Sequence, residues 1–337
     1  MKNNLSFVSI IIPCRNEEKF IGKCLDSIIA NDYPRDRLEI FVIDGMSKDG
    51  TRKIIEQYIK QYSFIKFLDN PKKIAPVAQN IGIKNAKGEI IIIMDAHSTY
   101  EKDYISKCLE YLNKYNADNV GGIIITVPRN NSLSAKAIAL VLSHPFGVGN
   151  SHFRIGSKKP RWVESVPFGC YKKDIFKKIG YYNEKLASTY DRDFNLRLRK
   201  AGGKILLIPD IISYYYVRSN LKDFIKHDFR NGSAVIYSLK FGVKIFSWRH
   251  LTPLVFVGSF LGSLILGLFF FWAKILFILI LGSYAFLNLF FSTKTSLKED
   301  LRYFLILPII FTIHHFVYGL GSIWGLIKLL IPTKKKQ

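Results

Sequence analysis

The sequence predicts an α/β fold with a mostly parallel central sheet, followed by C-terminal helices suited to lipid. Three observations carry this reading. Short β-branched runs alternate with helical periods from Phe7 onward, and carboxylates close the predicted strands at Asp44 in FVIDGMSKDGT and Asp95 in IIIIMDAHS. Composition then changes near Leu251, from charge-rich to dominated by Leu, Ile, Phe and Gly.

The elements follow in order. Phe7 to Ile12 is a β-branched run ending at Pro13, and the next segment sets Ile21, Cys24, Leu25 and Ile28 on one helical face. Leu38 to Ile43 forms a second strand, ending at Asp44; Asp49-Gly50 turns the chain and Thr51 caps a helix to Tyr62. A short strand, Ile65 to Leu68, leads through Asn70-Pro71 to a helix over Ala75 to Asn85, and Glu89 to Met94 is the most apolar strand. Strand and helix in alternation build a doubly wound sheet, which binds ligands beyond the carboxyl ends of its strands. His144 to Arg154 is glycine-rich and reads as a mobile loop; a helix is expected over Asp193 to Ala201, and Asp223 to Ile236 is amphipathic.

With 337 residues the chain has room for one large domain and an appendix. Residues 1–235 are expected to form the catalytic domain, 236–250 a juxtamembrane segment and 251–337 a membrane domain. Thr252 to Trp272 is an almost unbroken apolar run, long enough for ~30 Å of hydrocarbon at ~1.5 Å per residue. Ile275 to Phe291 repeats it, and Phe304 to Ile331 exceeds what one crossing requires. No apolar signal region lies in Met1 to Phe7, so a multi-pass protein of the cell membrane with a cytoplasmic catalytic domain is expected. Lys240, Lys244 and Arg249 before the first run, and Lys294, Lys298 and Arg302 between the second and third, satisfy the positive-inside rule. Lys334, Lys335 and Lys336 conflict with it: three single crossings put them outside, whereas a hairpin or an interfacial third run keeps them inside.

The formal charge of +23 does not indicate nucleic acid, because the basic residues are dispersed among acids and form no clustered face. Lysines beside an anionic leaflet are the more economical explanation, with a compositional bias toward lysine as the alternative. Cys14, Cys24, Cys108 and Cys170 have neither CxxC nor zinc spacing and read as reduced core thiols.

VSIIIPCRNE, VIDGMSKDGT, AQNIGIKNAKGEIIIIMDAHS and FGCYKKDIFKKIGYYNE together resemble the family 2 glycosyltransferases of the glycosyltransferase A fold, over about Phe7 to Pro209. Within that family the DAH motif, the HPFGVGNSHFR stretch and the hydrophobic C-terminal helices are most similar to bacterial succinoglycan-type exopolysaccharide transferases. The resemblance implies a Rossmann-like domain that binds a nucleotide-sugar, with Pro13, Arg15 and Glu17 lining the nucleoside pocket and Asp44 accepting hydrogen bonds from base or ribose. Lys73 and Asn80 match a basic residue and an asparagine near the nucleotide.

Asp95 and His97 occupy the first and third positions of the family's Asp-x-Asp motif, which implies Mg²⁺ or Mn²⁺. Imidazole suits manganese better than magnesium. Asp191 is the expected catalytic base, taking the proton of the acceptor hydroxyl in an inverting transfer; the family's preceding Glu is Tyr190 here. Asp193 either serves the acceptor side or pairs on its own helix with Arg197. Gly169 and Cys170 are expected to floor the acceptor side, and Arg230 falls where processive synthases carry a Gln-x-x-Arg-Trp motif. The Gln and Trp of that motif are absent, which favours single transfers.

The reading is therefore a membrane-attached, metal-dependent, inverting transferase. It moves sugar from a nucleotide-sugar, UDP-linked by family frequency, to a polyprenyl-linked saccharide. The alternatives are a processive polysaccharide synthase and a non-catalytic scaffold that binds nucleotide-sugar.

Overall fold

A computed structural model describes residues 5–186, 188–245 and 247–331; the C-terminal lysines 334–336 lie outside the described residues. The chain runs β1 (Val8–Cys14), α1 (Ile21–Ile29), β2 (Leu38–Asp44), α2 (Thr51–Gln61), β3 (Ile65–Asp69), α3 (Ala75–Asn85), β4 (Ile90–Ile93), β5 (Ser98–Tyr100) and α4 (Tyr104–Lys114). It continues through β6 (Asn119–Pro128), α5 (Leu133–Val141), α6 (Pro145–Val148), α7 (His152–Ile155), β7 (Arg161–Trp162), β8 (Cys170–Lys172), α8 (Asp174–Ile179), α9 (Tyr190–Lys200) and β9 (Ile205–Val217). Four long or apolar helices end it: α10 (Leu221–Tyr237), α11 (Trp248–Leu266), α12 (Phe271–Lys298) and α13 (Ile306–Leu330).

Two compact units result. The first comprises Met1–Ile125 and His152–Tyr216, the second Thr126–Ser151 and Val217–Gln337. Residues 126–151 and 217–235, expected in the catalytic domain, thus group with the apolar helices. The physical reason is local: α5 and α10 are apolar or amphipathic, and their buried positions face α13.

The first unit is organised by one sheet in the order β3-β2-β1-β4-β8-β6-β9-β5, with β7 on β9. The strands β3, β2, β1 and β4 are parallel, as alternation demands, and β8 joins β4 in the antiparallel sense. Every residue of β2 is buried, which explains its continuous apolar run: a strand covered on both faces shows no period of two. The β1 strand runs two residues further than the sequence suggested, through Pro13 to Cys14, because Ile43 and Asp44 pair with those positions. Helix α1 buries Ile21, Cys24, Leu25 and Ile28, the face read from the sequence. All four cysteines are buried and reduced.

In the second unit, α11, α12 and α13 are long and apolar enough to cross a bilayer by length and composition. The first apolar run does not form one helix from Thr252 to Trp272. Helix α11 starts earlier, where the Ser247 N–H donates to His250 Nδ1 at 3.1 Å, and stops at Leu266; Gly267 to Phe270 turn into α12. The expected mobile loop is largely helical, with His144 Nδ1 accepting from the Phe146 N–H at 3.0 Å to start α6.

Candidate functional site

The site grows from the loops at the carboxyl ends of the parallel strands. After β1 and β2, two loops are stitched together by backbone-to-side-chain bonds. Asn16 N–H donates to Ser47 Oγ at 2.8 Å, Glu17 N–H to Thr51 Oγ1 at 2.8 Å and Gly50 N–H to Glu18 Oε2 at 2.8 Å. Asn16 and Met46 take left-handed φ values of 54° and 59°, which turn both loops tightly. Gly50, not Thr51, is the N-cap of α2, and Asp49 Oδ1 just before it accepts from both the N–H (3.1 Å) and the hydroxyl (2.6 Å) of Thr51. Pro13 is half-buried at the end of β1, while Arg15 is exposed and lays its stem over Gly45.

Asp44 ends β2 fully buried. Its carboxylate accepts from Arg52 Nε at 2.7 Å, from the Ser47 N–H at 2.9 Å and from the Ser47 hydroxyl. Arg52 also pairs with Asp69, the last residue of β3 and the register partner of Asp44, so one guanidinium serves two strand-end carboxylates. Neither Arg52 nor Asp69 is apparent from the sequence, because a helical Arg one position inside α2 looks like any solvated charge. Cys14 Sγ lies 3.8 Å from Asp44 Oδ1; burial first, and then that carboxylate, push its thiol pKa up, so it is no nucleophile.

Asp95 lies in the turn after β4. Its Oδ1 accepts from the His97 N–H at 3.2 Å, its own N–H donates to the Tyr100 hydroxyl at 2.7 Å, and Ser98 N–H closes the turn on its carbonyl at 3.2 Å. The His97 ring stands between two carboxylates: Nδ1 is 2.8 Å from Asp95 Oδ1 and 3.1 Å from Glu17 Oε1, close charge contacts without the alignment of a hydrogen bond. Its Nε2 meets the Tyr215 hydroxyl at 3.2 Å. Burial alone would lower the His97 pKa, but Asp95, Tyr215 and Glu17 outweigh it and raise it well above the ordinary value. Tyr215, on β9, also carries the Arg154 guanidinium 5.6 Å over its ring. Nothing in the sequence signals that Tyr215, or Arg154 at the end of the His144 to Arg154 stretch, stands beside His97 or its partner, because both arrive from far along the chain.

Asp191 is exposed in the first turn of α9. The helix starts three residues before the expected Asp193, which sets Asp191 on its N-terminal rim. Tyr190, the residue before it, is a phenol whose pKa is raised by burial first and then by the charges of Asp191 and Asp95, and its hydroxyl accepts from Gln79 Nε2 at 3.4 Å. Asp193 is buried and binds Arg197 Nε at 3.1 Å; Arg197 in turn donates to the Tyr181 carbonyl at 2.7 Å. That is the intrahelical pairing read as the second role for Asp193.

The remaining expected residues are spread more widely. Asn80 is buried and uses its amide on the Tyr182 backbone, accepting at 3.0 Å and donating at 2.9 Å, and on Glu184 at 3.1 Å. Lys73 is exposed with φ 61°, in the turn that precedes α3. Gly169 accepts from the Ile93 N–H at 3.0 Å, and Cys170 is a core residue of β8. Arg230 belongs to the second unit, on the exposed side of α10. Among the described residues no group of three or more His, Cys, Asp or Glu side chains is arranged to hold a metal ion. Glu17, Asp95 and His97 nonetheless bring two carboxylates and an imidazole to one place.

Comparison with known proteins shows the family. The family model described as "Glycosyl transferase family 2" matches residues 9–180. The chain is 33% identical to a dolichyl N-acetyl-α-D-glucosaminyl phosphate 3-β-D-2,3-diacetamido-2,3-dideoxy-β-D-glucuronosyltransferase of Methanococcus voltae, over 96% of this chain and 98% of the relative. It is 29% identical to the succinoglycan biosynthesis protein ExoA of Rhizobium meliloti, over 72% of this chain and 80% of the relative. Its fold is similar to that of the mannosyltransferase PcManGT from Pyrobaculum calidifontis, solved with GDP-Man and Mn²⁺, with a TM-score of 0.59, 17% identity and coverage of 96% of this chain and 88% of that one. The ordered strand-end carboxylates, the α/β sheet that presents them and a relative matched along nearly its whole length lead to one conclusion: the chain belongs to glycosyl transferase family 2.

Proposed function

We propose that this enzyme is an inverting, membrane-attached transferase that moves one sugar from a nucleotide-sugar, UDP-linked by family frequency, to a polyprenyl-phosphate-linked saccharide at the cytoplasmic face. The observation that carries the proposal is the gathering of Glu17, Asp95 and His97 at one point beyond the carboxyl ends of the parallel strands. The lipid acceptor is supported by the apolar helices and by the M. voltae relative, whose name describes a dolichyl-linked sugar phosphate. The product would extend a lipid-carried saccharide bound for the cell surface.

Asp191 accepts the proton of the attacking acceptor hydroxyl. Its exposed place on the rim of α9 leaves the carboxylate open to an incoming sugar. Attack from the face opposite the departing diphosphate inverts the anomeric centre. The Asp44–Arg52–Asp69 cluster orients the nucleoside, and Pro13, Arg15 and Lys73 stand at the loops around it. Gly169 belongs to the acceptor side in this reading, whereas Cys170 is sealed in the core.

Asp95 and His97, with Glu17 beside them, would hold a divalent cation of the Mn²⁺ type once His97 has given up its proton, and are less apt for Mg²⁺. Two or three protein donors completed by substrate phosphates are the usual arrangement for such ions. When bound, the cation neutralises charge building on the leaving diphosphate.

The test is to incubate membranes containing the protein with a panel of UDP- and GDP-sugars and a polyprenyl-linked saccharide, then extract lipid and measure its mass. Addition of one residue by the natural chain and none by Asp191→Asn is expected. Polymer, or label that never enters the lipid fraction, refutes the proposal.

A further inference from the structure

Helix α13 has the length and apolarity of a membrane span, but its neighbours in the second unit constrain where it can lie. Phe224 of α10 stacks on His314 at 5.8 Å, and Asp228 Oδ2 is 2.6 Å from His314 Nδ1. Further along, Ser322 Oγ donates to the Gly232 carbonyl at 3.4 Å, Lys328 sits 5.8 Å over the Tyr237 ring, and Lys240 Nζ donates to the Ile331 carbonyl at 2.6 Å. Residue numbers rise together on both helices, so α10 runs parallel to α13 from His314 to its end. Glycines make the approach possible: a Cβ on Gly232 or Gly321 would collide with the carbonyls of Tyr318 and Phe229, and one on Gly325 would stand 2.7 Å from the Ser233 carbonyl.

The outer face of α10 decides the environment of this pair. Lys222, Lys226 and Arg230 recur four residues apart and are exposed, beside a second exposed stripe of Leu221, Ile225 and Phe229. On α13 the exposed stripe is Leu320, Trp324 and Ile327. Hydrocarbon suits the apolar stripes and not the cationic one, water the reverse; the bilayer interface accommodates both. The first half of α13 agrees, since Pro308 accepts from Asn288 of α12 at 3.0 Å while Gly319 lies against Pro253 and Val257 of α11. The helix therefore passes across the α11–α12 hairpin from one arm to the other. The end of α13 is also tied to Lys240, and at the end of α10 the Ser238 hydroxyl donates to the Val243 carbonyl at 2.8 Å, from which roughly five residues lead to Trp248 at the start of α11. At ~3.4 Å each they reach at most about 17 Å, well short of the ~30 Å hydrocarbon core.

We propose that α10 and α13 lie together along the membrane surface, with the stripe of Lys222, Lys226 and Arg230 on anionic lipid headgroups. The chain then crosses the bilayer twice, through α11 and α12, and Ile331 returns to the side from which α11 enters. This arrangement puts Ile331 on the same side as Lys240 and Arg249, the inner side by the positive-inside rule.

The test uses full-length protein carrying Phe269→Cys, Lys226→Cys or Ile331→Cys, with Leu330→Cys as substitute should Ile331→Cys fail to insert. The four natural cysteines are buried and give little background. A membrane-impermeant maleimide is applied to intact cells and to inverted vesicles. Positions 269 and 331 are expected to label from opposite sides, and position 226 from the same side as 331. Labelling of 269 and 331 from one side, or protection of 226 from both, overturns the proposal. A polarity-sensitive dye on Ile225→Cys then separates charge from burial. Its emission is expected to shift further to the blue in vesicles of phosphatidylcholine with phosphatidylglycerol than in phosphatidylcholine alone, and Lys222→Gln with Lys226→Gln is expected to abolish the difference. Equal emission in both vesicles overturns the assignment of the basic stripe to anionic lipid.

Discussion

His97 Nδ1 lies 2.8 Å from Asp95 Oδ1, and the same nitrogen reaches Glu17 Oε1 at 3.1 Å, so one ring joins the loop after β1 to the turn after β4. In the family's Asp-x-Asp pattern that third position is a carboxylate. Here an imidazole stands in its place and is itself held between two acids.

Replacing His97 tests its part in holding a cation. His97→Ala is expected to weaken Mn²⁺ activation about 10- to 100-fold, the usual cost of a lost ligand or of the partner that orients one. His97→Asp is expected to retain activation and to accept Mg²⁺ more readily. Both are read by titrating metal into chelator-treated enzyme; unchanged curves place His97 outside the cation site.

Asp191→Asn keeps the size of the side chain and removes its basicity. A fall in kcat of about 10²- to 10⁴-fold, with donor KM nearly unchanged, is expected of a general base. A rise in donor KM at constant kcat would assign Asp191 to donor binding instead.

Arg52 serves Asp44 and Asp69 together, so its loss strands a buried acceptor. Arg52→Leu is expected to destabilise the first unit by about 1–3 kcal/mol and to raise donor KM, because the strand-end carboxylates lose their common partner. Thermal unfolding in detergent, with and without donor, measures both effects. An unchanged midpoint would show that Ser47 alone satisfies Asp44.

Glu39 gives the fold a pH dependence with a definite sign. It is 2% exposed and accepts from Lys66 Nζ, Ser9 Oγ and the Lys87 N–H, each at 2.6 Å. Burial alone would raise its pKa, but the bonds from Lys66, Ser9 and Lys87 outweigh it and hold it below the ordinary carboxylate value. Its stabilisation is therefore complete above the unfolded pKa of about 4.3 and is lost as pH falls through the depressed folded value. Midpoints followed from about pH 6 to about pH 3 are expected to decline less steeply for Glu39→Gln than for the natural chain. Parallel declines would remove Glu39 from this role.

Much of the first unit was legible because its strands are short, buried and closed by carboxylates. Helix α3 spans the expected Ala75 to Asn85, and β2 ends at the expected Asp44. The less legible features depend on partners distant in sequence. Nothing near Asn80 announces that its amide is spent on Tyr182, and nothing near His97 announces Glu17 or Tyr215. Hydropathy finds apolar runs but not breaks within them, so the turn between α11 and α12 was hidden inside the first run. Glycine-rich composition likewise misrepresented His144 to Arg154, where histidine capping and apolar contacts favour short helices.

The most direct test is the mass of a polyprenyl-linked saccharide after reaction with purified protein, a nucleotide-sugar and Mn²⁺. An increase of one sugar residue, inverted at its anomeric centre and absent with Asp191→Asn, is the expected result. Retention of configuration, addition of many residues, or equal product from Asp191→Asn would contradict it.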